Sequence, residues 1–182
     1  MFQLKICGVA ELHEVIAAFQ PTHIISTITQ SEALDLPGAH LHINVGDITS
    51  ELDGHVLPTM HHLVELLNFT KDLTDDDRLL IHCFAGMSRS TAFAVAVLIQ
   101  HGMDYDKAFD HVALLRPILL PNRLIIKLVD QYFALRGDLI DLVRQYYVGQ
   151  YNRSTAETPD ETMITEEWME KLDRILRRIG SD

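Results

Sequence analysis

Residues 82–90 read His-Cys-Phe-Ala-Gly-Met-Ser-Arg-Ser, a stretch that puts a thiol, a guanidinium, two hydroxyls and a glycine within reach of one small anion. A cysteine becomes a nucleophile when it is held as the thiolate, which backbone N–H groups, a helix N-terminus or a nearby cation favour. Cys83 and Arg89, with five residues between them, return to one point in space if the chain turns tightly, and Gly86 supplies the permissive backbone for such a turn. The planar fork of Arg89 can bind two oxygens of a phosphoryl group at once. The amides of Phe84, Ala85, Gly86, Met87, Ser88 and Arg89 would form a concave nest for a tetrahedral oxyanion. The chemistry is then in-line displacement by Cys83 at phosphorus, with the equatorial oxygens held by Arg89 and the loop. The Ser90 hydroxyl can donate to the sulfur and help it leave in a second step. His82 is read as a buried ring that orders the loop by a hydrogen bond, not as a base.

Such a loop needs a strand before it and a helix after it. Leu79 to His82 is short and apolar, as a central strand would be, and Thr91 to Ile99 is apolar on nearly every side, as a core helix would be. Gly102 ends that helix. Upstream, short apolar runs alternate with helical patterns, the mark of an α/β domain. Phe2 to Cys7 reads as a strand, Ala10 to Phe19 as a helix, and His23 to Ile28 and Ala39 to Val45 as strands. A helix opened by Pro58 runs to Phe69. Helical patterns follow at Tyr105 to Leu115, Asn122 to Leu135 and Asp138 to Val148, with Gly137 and Gly149 as punctuation. The expected fold is a three-layer α/β/α domain with a central sheet of four or five strands and the thiol loop at its C-terminal edge. Residues 1–149 would form this domain. Residues 150–182 read as a polar linker followed by an amphipathic helix, with Trp168, Leu172, Ile175, Leu176 and Ile179 in one stripe, docked on the same domain.

Cys83 to Arg89 resembles the Cys-x5-Arg signature of the protein tyrosine and dual-specificity phosphatases, here in the fuller form His-Cys-x-x-Gly-x-x-Arg-Ser. Arg116-Pro117 and Pro121-Asn122 are similar to the Arg and Pro-Asn positions of a later loop in that family, and the resemblance covers Phe2 to Leu135. It implies a phosphocysteine intermediate, no cofactor or metal, and supporting roles for Arg116 and Asn122. It also implies a general acid, an aspartate upstream on a loop. Asp47 is the best candidate, with Asp53 and Glu51 close enough to compete. The implied substrate is a phosphorylated protein or a small phosphomonoester. The chain is shorter than the large tyrosine-specific domains, which favours a small dual-specificity-like pocket. The loop interior carries no Lys or Arg, which weakens a polyphosphorylated inositol reading.

Composition limits the partners. A formal net charge of -11, with no block of basic residues, argues against binding a nucleic-acid backbone or an anionic membrane. No run reads as a signal peptide or a membrane span, and two cysteines suit a reducing cytoplasm. The sequence does not determine the oligomeric state. Cys7 reads as a core thiol, and Asp47 also has the ordinary reading of a turn residue. The pairs His40 with His42 and His61 with His62 suggest a metal site only weakly, since no cysteine or carboxylate cluster completes one. A phosphate-binding module without turnover is the alternative from another class.

Overall fold

The computed structural model describes residues 1–29 and 36–155, with side chains to residue 150. Two compact units divide the chain, Met1–Ile140 and Asp141–Asp182. The first holds a sheet of four strands, β1 (Gln3–Gly8), β2 (His23–Ser26), β3 (Ala39–His42) and β4 (Arg78–Cys83), in the order β1-β4-β2-β3 with every neighbouring pair parallel. All four strands therefore end on the same edge, and the residues that follow them are gathered there.

Parallel strands covered on both faces read as continuous apolar runs. Leu79, Leu80 and Ile81 are accordingly fully buried, as are Ile24 and Ile25 beside them, each such side chain contributing about 1.5–3 kcal/mol of hydrophobic stabilisation. On one face, α1 (Leu12–Phe19) packs Leu12, Val15, Ile16 and Phe19 against Cys7, Ile24 and Leu80. On the other, α3 (Arg89–Gln100) covers β4 and β1 and is itself enclosed by α2 (Met60–Thr70), α4 (Tyr105–Leu115) and α5 (Arg123–Tyr132). Residues Arg89 to Leu98 of α3 are all buried, which explains a helix sequence with no polar stripe. The architecture is the expected three-layer α/β/α arrangement.

Several boundaries differ from the sequence reading. β2 stops at Ser26 and β3 at His42, although Ile28, Ile43 and Val45 are buried: the apolar run outlasts the hydrogen-bonded ladder. A short 3-10 turn at Val9–Glu11 precedes α1. α2 starts at Met60 with Thr59 as its N-cap, and α5 at Arg123 with Asn122 as its N-cap. The helix expected to end at Val148 is α6, Asp138–Thr155, which runs through Gly149; a glycine inside a helix costs about 1 kcal/mol, too little to stop one. The stripe around Trp168 lies outside the described residues.

Candidate active site

Cys83 is the last residue of β4 and Arg89 the first of α3, so the loop between them spans strand end and helix start. Gly86 turns it, with φ 72°. A Cβ at this position would lie 2.4 Å from the Cys7 carbonyl carbon and 2.5 Å from the Gly8 nitrogen, so the backbone passes against the end of β1 where only glycine fits. The loop carbonyls are engaged from outside. Phe84 O accepts from Val9 N–H at 2.9 Å, Met87 O from Leu120 N–H at 2.8 Å and Ser88 O from Asn122 N–H at 3.3 Å. Arg116 Nη2 donates to Ala85 O at 3.4 Å. Carbonyls turned outward leave the loop amides for the concave side, which is what an anion nest requires.

The Cys83 sulfur is buried at the base of this loop. It accepts a hydrogen bond from Gly86 N–H at 3.2 Å and lies 3.1 Å from Ser90 Oγ. Arg89 is 5% exposed; its Nη1 donates to Val45 O at 2.8 Å while its buried Nε has no hydrogen-bond partner. No carboxylate among the described residues forms an ion pair with it. A buried guanidinium without a counter-charge is costly, and the cost is offset where the group faces an anion.

Asp47 reaches the same loop from the segment after β3. Its Oδ1 accepts from Ser88 Oγ at 2.7 Å and from Asn122 Nδ2 at 2.9 Å. Asn122 also donates to Ile48 O at 3.2 Å, and its own Oδ1 caps α5 by accepting from the amides of Leu124 and Ile125. Asp53 and Glu51 are exposed, and of the three carboxylates it is Asp47 that bonds Ser88 and Asn122. Arg116 is held by Glu11, with Nη1 at 3.1 Å and 3.0 Å from its two carboxylate oxygens. Glu11 Oε2 in turn accepts from Gly8 N–H at 2.8 Å. That hydrogen bond is the largest cause holding Glu11 below the usual carboxylate range; burial opposes it, and the Arg116 guanidinium adds to the lowering.

His82 is fully buried on β4, with Nε2 2.6 Å from Ser26 Oγ. Burial, reinforced by His40, holds its pKa down at about 4, so the ring is neutral near pH 7. Cys7 pairs with His82 across the sheet, and burial with the Glu11 charge pushes its thiol up to about 12, as suits a core cysteine. Three of the four histidines considered for a metal are otherwise engaged: His40 with Ser26, His42 with Ile28 O at 2.9 Å, and His62 with Thr59 N–H at 3.0 Å. Sequence reasoning did not single out Val45, Ser26, His40 or Glu11 as partners of the loop. Each lies far from it in the chain, and no local pattern marks such contacts.

A parallel sheet with a cysteine and arginine loop at its C-terminal edge defines a protein-tyrosine-phosphatase-like scaffold. Residues 9–133 match the family model of the dual specificity phosphatase catalytic domain, and the chain belongs to that family. It is 33% identical over 103 residues to dual specificity protein phosphatase 15 of Mus musculus, a match covering 56% of this chain and 41% of the relative. It is 28% identical over 116 residues to a probable dual specificity protein phosphatase of Dictyostelium discoideum, covering 63% of this chain and 28% of the relative. The match thus spans less than half the length of these two relatives. Among solved structures, DUSP15 superposes with a TM-score of 0.59 at 23% identity, covering 80% of this chain and 90% of that one. Human DUSP28 gives 0.56 at 24% identity, with 74% and 94% covered. Among the described residues, no helix is long and apolar enough to cross a membrane.

Proposed function

We propose that this chain hydrolyses phosphomonoesters on phosphorylated proteins, with Cys83 as nucleophile. The observation that carries this reading is the buried Arg89, without a carboxylate partner among the described residues and with Nε unpaired, in a loop whose carbonyls are turned outward from the Cys83 sulfur. The Sγ thiolate attacks phosphorus in line and forms the S–P bond as the ester P–O bond breaks, while Asp47 gives its proton to the departing oxygen. Arg89 and the amides from Phe84 to Arg89 take up the charge on the equatorial oxygens. Asp47, now ionised, accepts a proton from water as the water attacks phosphorus. The S–P bond breaks, and the Ser90 hydroxyl, 3.1 Å from the sulfur, donates to the leaving thiolate. Asn122 and Ser88 hold Asp47 at the loop, His82 supports the loop from behind, and Arg116 braces it through Ala85 O. Matches to dual-specificity phosphatases and a loop interior without Lys or Arg support phosphorylated tyrosine, serine or threonine side chains over polyphosphorylated inositols. Two thiols, one of them the nucleophile, suit a reducing cytoplasm.

One observation favours a second reading, a phosphate-binding module with little turnover: Asp47 Oδ1 already accepts two hydrogen bonds, whereas an acid must carry a proton. Substitution separates the two. Cys83→Ser should abolish hydrolysis of an aryl phosphate while keeping binding of sulfate or tungstate, because Arg89 and the amides remain. Arg89→Lys should reduce turnover by at least ~10²-fold, the loss expected when one charge-stabilising donor is removed. Wild-type protein that binds phosphate but turns over no aryl phosphate would establish the module reading, and turnover that survives Cys83→Ser would remove Cys83 from the mechanism.

A further inference from the structure

Four of the nine large apolar side chains exposed among the described residues, Leu52, Val56, Phe84 and Ile118, lie in the three segments that enclose the Cys83 sulfur. Phe84 directly follows the sulfur-bearing residue and is 74% exposed, while Cys83 itself is buried. Ile118, 70% exposed, stands between Arg116, which donates to Ala85 O at 3.4 Å, and Leu120, whose N–H donates to Met87 O at 2.8 Å. Bonds on both sides of it therefore hold Ile118 beside the loop that carries Phe84.

Leu52 and Val56 belong to the segment of Asp47. Val56 O accepts from Gly46 N–H at 2.7 Å and Leu52 O from His55 N–H at 3.0 Å, so this segment folds back on the residue just before Asp47. Asp47 in turn accepts from Ser88 at 2.7 Å, and Asn122 Nδ2 donates to both Asp47 and Ile48 O. The three segments are thus tied together around the buried sulfur. Single exposed apolar residues are common on any surface, but a group of them at the entrance of one site marks a contact surface. Its charge says what kind. Residues 48–56, 84–88 and 117–121 hold the exposed carboxylates Glu51 and Asp53 and no Lys or Arg, with His55 as the one base. Arg116, next to them, is held by Glu11 through both carboxylate oxygens. Such a surface, in a chain of net charge -11, repels an acidic partner or an anionic membrane and gains by covering apolar groups.

We propose that Leu52, Val56, Phe84 and Ile118 are specificity-determining residues: they form an apolar rim that takes the side chains on either side of the phosphorylated residue in a peptide, and so select apolar over acidic flanks. This rests on the reading of Cys83 as a nucleophile toward phosphorylated proteins. A phosphorylated side chain that reaches the buried sulfur brings its neighbours in the peptide onto the rim. Apolar neighbours leave water there, whereas an aspartate, a glutamate or a second phosphate meets Glu51 and Asp53 with no Lys or Arg in the rim segments to pair with.

Steady-state kinetics of the full chain on phosphotyrosine peptides of one length, differing only in the residues beside the phosphotyrosine, reads the selection. kcat/KM should be about tenfold higher for leucine than for serine flanks, the worth of one apolar contact in a site, and lower again for glutamate flanks. The leucine-to-serine ratio isolates the apolar contact from charge. Ile118→Ser and Leu52→Ser should each cut that ratio about threefold while leaving turnover of p-nitrophenyl phosphate, which has no flanks, unchanged. Phe84→Ser should cut it further, and the ratio within that variant cancels any general damage to the loop. Equal kcat/KM for leucine and serine flanks in the wild type, or a ratio that survives all three substitutions, overturns the rim. So do substitutions that alter the sedimentation of the chain but not the ratio, since the rim would then be a contact between copies. A wild type that turns over neither the peptides nor p-nitrophenyl phosphate overturns the catalytic reading instead. The same peptides, then uncleaved, can be titrated by calorimetry: tighter binding with leucine flanks supports the rim, and equal binding overturns it.

Discussion

Two strand-to-helix turns lie side by side in this fold, and they treat the backbone amides at the helix start differently. β1 and β4 are parallel neighbours with Gly8 opposite Cys83, and each leads into a helix at the same sheet edge. After β1, the chain makes a short 3-10 turn and Glu11 folds back to accept the Gly8 N–H at 2.8 Å, with Arg116 against the same carboxylate. That turn carries its own anion. After β4, five residues separate the sulfur from Arg89, Gly86 bends the chain, and the N-cap residue Ser88 sends its hydroxyl to Asp47 instead of to its own helix. The proposed function assigns the amides of this loop to a ligand. A helix N-terminus is thus an anion site where the loop is long enough to make a nest and local side chains do not fill it first.

Gly86→Ala should break the contrast most completely. The new Cβ would meet the Cys7 and Gly8 backbone at 2.4–2.7 Å in a left-handed conformation, so the two turns must separate. Stability should fall by ~3 kcal/mol or more and aryl phosphatase activity should become undetectable, since a misplacement of about 1 Å costs ~10²-fold by itself. Denaturant unfolding and a turnover assay check both. An active, stable variant would mean the loop is not held by β1.

Asp47→Asn tests the partner that Ser88 serves in place of its helix. It should lower kcat by ~10²–10⁴-fold for an alkyl phosphate, and less for a nitrophenolate that departs unprotonated. The basic limb of the pH-rate profile should flatten as well. If Asp53→Asn gives this pattern and Asp47→Asn does not, the acid lies six residues further along. If neither matters, the binding-module reading gains.

The residues just before the two turns also differ in titration. Cys7 stays a neutral thiol, whereas His82 opposite it has its pKa lowered to about 4 by burial. In the unfolded chain a histidine titrates at ~6.5, so between these values the unfolded state binds the proton and the folded state does not. This contribution to stability is therefore present above about pH 6.5 and is lost as pH falls toward 4, by up to about 3 kcal/mol. Melting curves in His82→Gln should show a shallower decline over that window than wild type.

Glu11→Gln makes the smallest change, because it keeps a hydrogen-bond acceptor near Gly8 N–H and removes only the charge. A loss of about 0.5–1 kcal/mol is expected, as for other partly exposed charges at helix starts, with turnover reduced only severalfold through a looser Arg116. A Glu11→Gln protein that gained a second phosphate site, seen by calorimetric titration, would mean that charge alone and not loop length distinguishes the two turns.

The strand, loop and helix around residues 82–90 were legible in the chain because they are local. Residue types, a glycine at the bend, a preceding apolar strand and a following apolar helix all fall within a few turns of sequence. The same holds for α4, whose observed limits, Tyr105–Leu115, are those its periodicity predicts. Strand ends were less legible, since Ile28, Ile43 and Val45 are apolar for burial and not for ladder pairing. The glycine at 149 reads as a stop only if its modest helix penalty is overvalued.

Tertiary structure decided which distant groups meet the loop. Nothing in the local sequence of Ser26, Val45 or Glu11 points to His82, Arg89 or Gly8, which they meet at the sheet edge. They arrive there because a parallel sheet ordered β1-β4-β2-β3 delivers every strand end to one edge. The sequence determined that Cys83 and Arg89 would stand at the two ends of one short loop, because five intervening residues bind the two by covalent geometry. Which carboxylate, carbonyl and imidazole complete the nest depends on contacts between segments tens of residues apart, set by how buried faces pack and not by spacing along the chain.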